Sequence, residues 1–216
     1  MINFHRETKK YLRDSLKSYG FRSAEFGEGF FCPLKKGVIA FFSADGIWSE
    51  LRISCGLRFD SVNNFLIKSS RLAEWPDPAV DGFKLKLYGL FIEDMGCYYS
   101  DNDSLDAAVK TSYRKGAVVA TAEEIKDHIL SNLDRLANFS DLSAAVPYVK
   151  ERQYFEPFSE YTIPAAARIL NDKELWDWAV DYFSPIVAEN NRTKLPQNRR
   201  DYDKLLQIMA CVHKFA

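Results

Sequence analysis

The sequence lacks any run of about 18 apolar residues, so no segment of it is expected to span a membrane. Its opening, MINFHRETKKYLRD, is too polar for a signal peptide. It has three histidines and four cysteines, and neither type is spaced for a metal: HExxH, CxxC and HxxxH are all absent. That removes the usual zinc arrangements. There is no GxSxG elbow and no P-loop ending, and Gly27-Glu28-Gly29 lacks the third glycine and following helix of a dinucleotide loop. Excess charge is missing as well. With 29 Lys and Arg against 30 Asp and Glu, the net charge is −1. A general nucleic-acid binder needs a broad positive field, so nucleic acid is not an expected partner beyond a local basic patch. Cys32, Cys55, Cys97 and Cys211 lie far apart and read as reduced core thiols of an intracellular, cytoplasmic protein.

What is present is core material. Of 216 residues, 47% are hydrophobic, which makes disorder an unsuitable reading and allows one large domain or two small ones. Phe4, Tyr11, Leu12, Leu16 and Tyr19 form one apolar helical face, ended by Gly20 as a left-handed cap. Phe21 to Leu34 reads as extended, with a turn at Gly27 and Gly29. Val38 to Ala44 is almost wholly apolar, as in a strand covered on both faces. Asp45-Gly46 predicts a two-residue hairpin turn. Ile47 to Phe59 then alternates, with Leu51, Ile53, Cys55, Leu57 and Phe59 on one face and Glu50, Arg52, Ser54 and Arg58 on the other.

Asp60 is expected to cap a short helix to Leu72, and Glu74 to Pro78 to be a loop. Phe83 to Phe91 reads as another strand. From Asp103 onward helices are expected. One carries Leu105, Ala108, Val109 and Tyr113. A second starts at a Thr121/Glu124 capping box and carries Ile125, Ile129, Leu133 and Leu136. A third carries Leu175, Ala179, Tyr182 and Ile186, broken or kinked at Pro185. The last has Tyr202, Leu205, Met209 and Val212 on its stripe. Segregated strands and helices predict an α+β fold: an N-terminal helix on a small antiparallel sheet, then a mainly helical C-terminal half. The expected division is an α+β domain over 1–150 and a helical extension over 151–216 packed on it, or one continuous domain.

Glu93 to Asp106, EDMGCYYSDNDSLD, holds five carboxylates and no Lys or Arg. Three readings stay open. Asp101-Asn102-Asp103 offers oxygen ligands for calcium or magnesium, although Leu105 and the missing Gly defeat an EF-hand loop. Asp and Asn also start turns and cap helices. Third, the stretch can grip a basic partner. Pro76-Asp77 and Glu124-Ile125-Lys126 resemble the PD…ExK pattern of metal-dependent nucleases, but with a long gap and a helical context. His5, His128 and His213 stand far apart and mark no site. Arg199 and Arg200 read as a solvated helix entry that can also meet phosphate or carboxylate. Trp176 and Trp178 read as core and rim, and Trp75, among polar residues and prolines, as an exposed aromatic anchor.

Tyr11-Leu12, Leu16 to Phe21 with its "YGF", Phe30 to Pro33, Val38 to Phe42 and Leu51 to Leu57 carry a resemblance. The pattern of a helix, a "GF" turn, an aromatic strand and a strand ending near a glycine resembles a family of uncharacterised bacterial domains. Val146-Pro147-Tyr148 matches its late helix, so the resemblance spans about residues 7–150. Some such domains are held to be immunity proteins of toxin systems. The resemblance implies no catalytic residues, so none carry over.

The leading expectation is a protein-binding, immunity-type module without cofactor, monomeric or homodimeric, that meets a basic protein. Trp75, Glu93, Asp94, Tyr98, Tyr99, Asp101 and Asp103 would form its binding surface. The alternative is a metal-dependent hydrolase or nuclease using Asp77, Glu93, Asp94, Asp101 or Asp103. A third is a structural module that only dimerises.

Overall fold

The computed structural model describes residues 4–23, 29–45, 50–73, 89–99, 115–153, 159–193 and 197–212. They form an α+β fold of two compact units that interleave along the chain. One is Met1–Leu57 with Phe91–Ser140, and the other is Arg58–Leu90 with Asp141–Ala216.

The first unit begins with α1 (Phe4–Leu16). Thr8, Leu12 and Leu16 recur every four residues and are fully buried. The chain then tightens into a 3-10 turn over Lys17–Tyr19 and stops at Gly20, whose φ of 82° is left-handed. The Gly20 amide donates to the Lys17 carbonyl (3.1 Å) and the Phe21 amide to that of Leu16 (3.3 Å), so the last carbonyls are satisfied in the expected way. Tyr19 is a correction. It is expected on the apolar stripe, but it is 52% exposed, because the tighter turn rotates it off the α-helical register.

Strands β1 (Arg22–Ser23), β2 (Gly29–Lys35), β3 (Val38–Asp45), β4 (Glu50–Phe59) and β5 (Gly89–Tyr99) lie in one sheet in chain order. β1 pairs antiparallel with β2, and β2 with β3. The β2–β3 register slips by one residue between Pro33 and Lys35, beside the position whose proline has no amide to give to the ladder. Only residues 46–49 separate β3 from its neighbour β4, a connection too short for parallel pairing. The expected Asp45-Gly46 turn itself lies outside the described residues. In β3, Ala40 to Ala44 are all buried, so both faces are covered as the apolar run predicts. In β4, Leu51, Ile53, Cys55, Leu57 and Phe59 are buried, while Arg52 on the other face is exposed. Ser54 and Gly56 are buried too, so that second face is covered along part of its length.

α1 packs against α3 (Lys115–Ala137), whose Ala122, Ile125, Ile129 and Leu136 are buried. α3 also touches β3, and the Lys9 ammonium on α1 donates to the Ala44 carbonyl (2.8 Å). The Thr121/Glu124 capping box is corrected. The helix starts six residues earlier, at Lys115, so Thr121 lies inside it, where no orphan amide remains for its oxygen.

The second unit is helical: α2 (Asp60–Leu72), α4 (Leu142–Arg152), α5 (Ser159–Leu170), α6 (Lys173–Thr193) and α7 (Gln197–Val212). α5 touches each of the other four, and Thr162 to Ala167 are buried on every side. Ala165-Ala166-Ala167 lets neighbouring backbones come close. Asp60 is not the cap of α2. Phe59 occupies that position, and Asp60 is the first helical residue, where its charge favours the positive end of the helix.

Three of these helices contain proline, and each deals with the lost amide differently. Pro147 in α4 and Pro185 in α6 are exposed, as are Ser143 and Asp181, whose carbonyls they fail to bond, so water can serve them. α6 therefore runs on through Pro185, where the sequence suggests a break or kink. Pro164 is buried, and its missing bond would have gone to the Glu160 carbonyl. There the Tyr202 hydroxyl from α7 donates instead, at 3.1 Å.

The α5–α6 turn is closed by Asn171 in the left-handed region (φ 53°). Asp172 then caps α6, accepting from the Leu175 amide at 2.9 Å. The buried stripe of α6 is Leu175, Ala179, Phe183 and Val187. Tyr182 is half-buried and Ile186 exposed, so these two expected positions belong to the rim. Tyr182 stacks on Trp178 (5.3 Å), with the Lys150 ammonium 4.7 Å from the Trp178 ring centre. Arg168 on α5 donates to the Ala210 carbonyl at 3.0 Å and lies 5.4 Å from the Trp176 ring centre. Ala210 belongs to the last turn of α7, so the guanidinium also meets the negative end of that helix.

Candidate functional site

The acidic stretch does not begin in a loop. Its first residues lie on β5, whose sequence GLFIEDMGCYY combines apolar and aromatic strand formers around one acidic pair. Leu90, Ile92 and Met95 are buried and root the strand in the fold. The backbones of Glu93, Asp94, Tyr98 and Tyr99 are therefore strand backbone. This corrects the expectation that the strand ends at Phe91 and the carboxylates follow it. The part 83–88 of the expected strand lies outside the described residues. So do Trp75, Asp77, Asp101 and Asp103, the helix expected around Leu105, and His213.

Strand order gives β5 its interest. It stands last in the sheet, and among the described residues its one sheet neighbour is β4. An edge strand in general presents unpaired amides and carbonyls, a template for an added strand. The structure places four of the seven expected binding residues on β5, the last strand of the sheet among the described residues.

The other candidates are dispersed. Glu124 is exposed on α3, and Lys126 pairs not with it but with Glu123, which also accepts from the Tyr11 hydroxyl. The Lys126 and Tyr11 hydrogen bonds hold the Glu123 carboxyl below its usual range, and the Tyr11–Glu123 bond raises the Tyr11 hydroxyl. This cluster ties α1 to α3. His128 is exposed on α3, far along the chain from half-buried His5 on α1. Among the described residues, no group of three or more His, Cys, Asp or Glu is placed to hold a metal ion.

Cys32 and Cys55 are buried and not joined in a disulfide, and burial raises the Cys32 thiol above its ordinary value. Cys211 corrects the reading of all four as core residues, since it is exposed near the end of α7. Arg58, half-buried at the end of β4, has its pKa lowered by burial, against the opposing pull of Asp60.

Sequence reasoning missed the edge position of β5 and a groove at the ends of α2 and α7. Strand order has no signal in a single chain. The groove has one, in apolar Ile208, which lies off the Tyr202/Leu205/Met209/Val212 stripe. No family model matches this chain, and no curated protein or solved structure matches it. Among the described residues, no helix is long and apolar enough to cross a membrane.

Proposed function

We propose that this is a non-catalytic, immunity-type binding protein that uses the β5 edge and the acidic segment running on from it to hold a basic protein partner. The observation that carries this reading is the position of β5 as the last strand of the sheet, with Glu93 and Asp94 in it. An edge strand supplies main-chain hydrogen bonds to a partner strand, and clustered carboxylates supply attraction from a distance. Asp101, Asp103 and Asp106 continue the same sign of charge along the chain. Tyr98, Tyr99 and Trp75 offer aromatic anchors of the kind that concentrate binding energy.

Affinity capture from the native lysate tests this. Wild type, an Asp101→Lys/Asp103→Lys variant and a Glu93→Lys/Asp94→Lys variant are compared. The reading expects a basic protein retained by wild type and lost by both variants. The same partner retained by all three would remove the acidic segment from the interface. A divalent ion retained through purification, with stability lost on chelation, would favour the metal-dependent hydrolase instead.

A further inference from the structure

Within the helical unit, an open groove of about 540 Å³ lies between α2 and α7. Lys68 and Leu72 line it from α2, and Gln207, Ile208, Cys211 and Val212 from α7. Leu72 follows Lys68 by four residues, as Cys211 follows Gln207 and Val212 follows Ile208, so each helix turns a two-turn strip toward the space. The walls are overwhelmingly apolar. Leu72 is 56% exposed there, although Val62 and Leu66 on the same helix are buried. Two of the lining residues carry polar side chains, Lys68 and Gln207, and both residues are exposed. Lys68 forms no salt bridge among the described residues.

An apolar trough with one cation and one amide matches an occupant with an apolar body and a single negative head. Its volume falls within the range of small-molecule sites, roughly 300–1,000 Å³. A second protein copy would need about 20–30 residues on each side, whereas six described residues line this groove. We propose that the groove binds a free medium-chain fatty carboxylate. The alkyl tail lies on Leu72, Ile208 and Val212. The carboxylate meets the Lys68 ammonium, whose methylene stem extends the apolar wall, and the Gln207 amide. This site is independent of the acidic strand.

Cys211 supplies the readout, because its exposed thiol lines the groove while Cys32 and Cys55 are buried. The full-length protein is titrated with dodecanoate below its micelle concentration. Alkylation of each cysteine by iodoacetamide is followed by peptide mapping, with calorimetry in parallel. Dodecanoate should slow Cys211 alkylation saturably and bind more tightly than dodecanol. Lys68→Ala should weaken dodecanoate about three- to fivefold, the scale of one exposed charge contact, and leave dodecanol unchanged. Leu72→Asp, at an exposed position that tolerates polarity, should weaken both. Four outcomes would overturn the proposal. The first two are the absence of any saturable effect of dodecanoate, and dodecanoate binding no tighter than dodecanol. Cys211 protection that rises with protein concentration would assign the groove to a second copy. Protection at every concentration without ligand would assign it to the chain itself.

Discussion

Replacing Tyr202 by Phe removes one oxygen atom from a side chain that is 1% exposed. The ring stays, with its edge-on contact to Tyr161 at 5.6 Å. What goes is the hydrogen bond to the Glu160 carbonyl, at 3.1 Å. That carbonyl has no amide four positions on to accept from, because the residue there is Pro164. The hydrogen bond is part-buried and its acceptor belongs to a half-buried residue, so its loss costs about 0.5–1.5 kcal/mol. We therefore expect Tyr202→Phe to destabilise the protein by about 1 kcal/mol, a fall of roughly 2–4 °C in Tm at this size. The diagnostic arm is Pro164→Ala, which restores an amide that can reach Glu160. In that background Tyr202→Phe should cost about 0.5 kcal/mol less. Urea unfolding of the four members of the cycle measures this. An equal cost of Tyr202→Phe in the wild-type and Pro164→Ala backgrounds would refute the reasoning, because the hydroxyl would then not be replacing the proline's lost bond.

Further expectations concern other elements. Gly29 has φ of 148°, and a Cβ there would lie 2.0 Å from the Phe42 carbonyl oxygen across the β2–β3 ladder, whereas Gly20 has nothing within 4 Å. Gly29→Ala should cost about 3 kcal/mol and Gly20→Ala about 1 kcal/mol, so equal denaturation midpoints for the two variants would contradict the packing described. Arg168→Ala removes the donor to Ala210 and the contact with Trp176, with an expected loss of about 2 kcal/mol, and Arg168→Lys should recover only part of it in thermal unfolding. The Glu123 carboxyl titrates lower in the folded state, so its contribution is present above the unfolded value and is lost as pH falls through the folded one. The stability gap between wild type and Lys126→Met, measured by denaturant titration, should thus be open at neutrality and close in strong acid.

Where burial follows a simple period, the sequence was legible. β4 alternates, α3 repeats at helical spacing, and β3 is almost wholly apolar, and each forms the element its pattern indicates, although α3 starts earlier than expected. α5 had no such pattern, because a helix buried on all sides shows no polar face, and Pro164 reads locally as a breaker. The carbonyl that Pro164 leaves without its usual amide accepts from a hydroxyl 42 residues away, a contact that no local pattern contains. Glu93 and Asp94 look like the end of a strand. They remain in β5 because Leu90, Ile92 and Met95 bury the backbone on either side of them. The acidic composition of the candidate surface was plain in the sequence. The place of Glu93 and Asp94 on the last strand of the sheet among the described residues was not, since sheet order is set by tertiary packing.

The central claim is that the acidic segment attached to β5 draws in a basic partner. It is tested most directly by stopped-flow association of the purified protein with the captured partner, at increasing ionic strength, for wild type and Asp101→Lys/Asp103→Lys. The account predicts a wild-type rate at least about tenfold faster at low salt, falling steeply as salt rises, and a slower variant rate nearly independent of salt. Identical rates and identical salt dependence for the two proteins would contradict it.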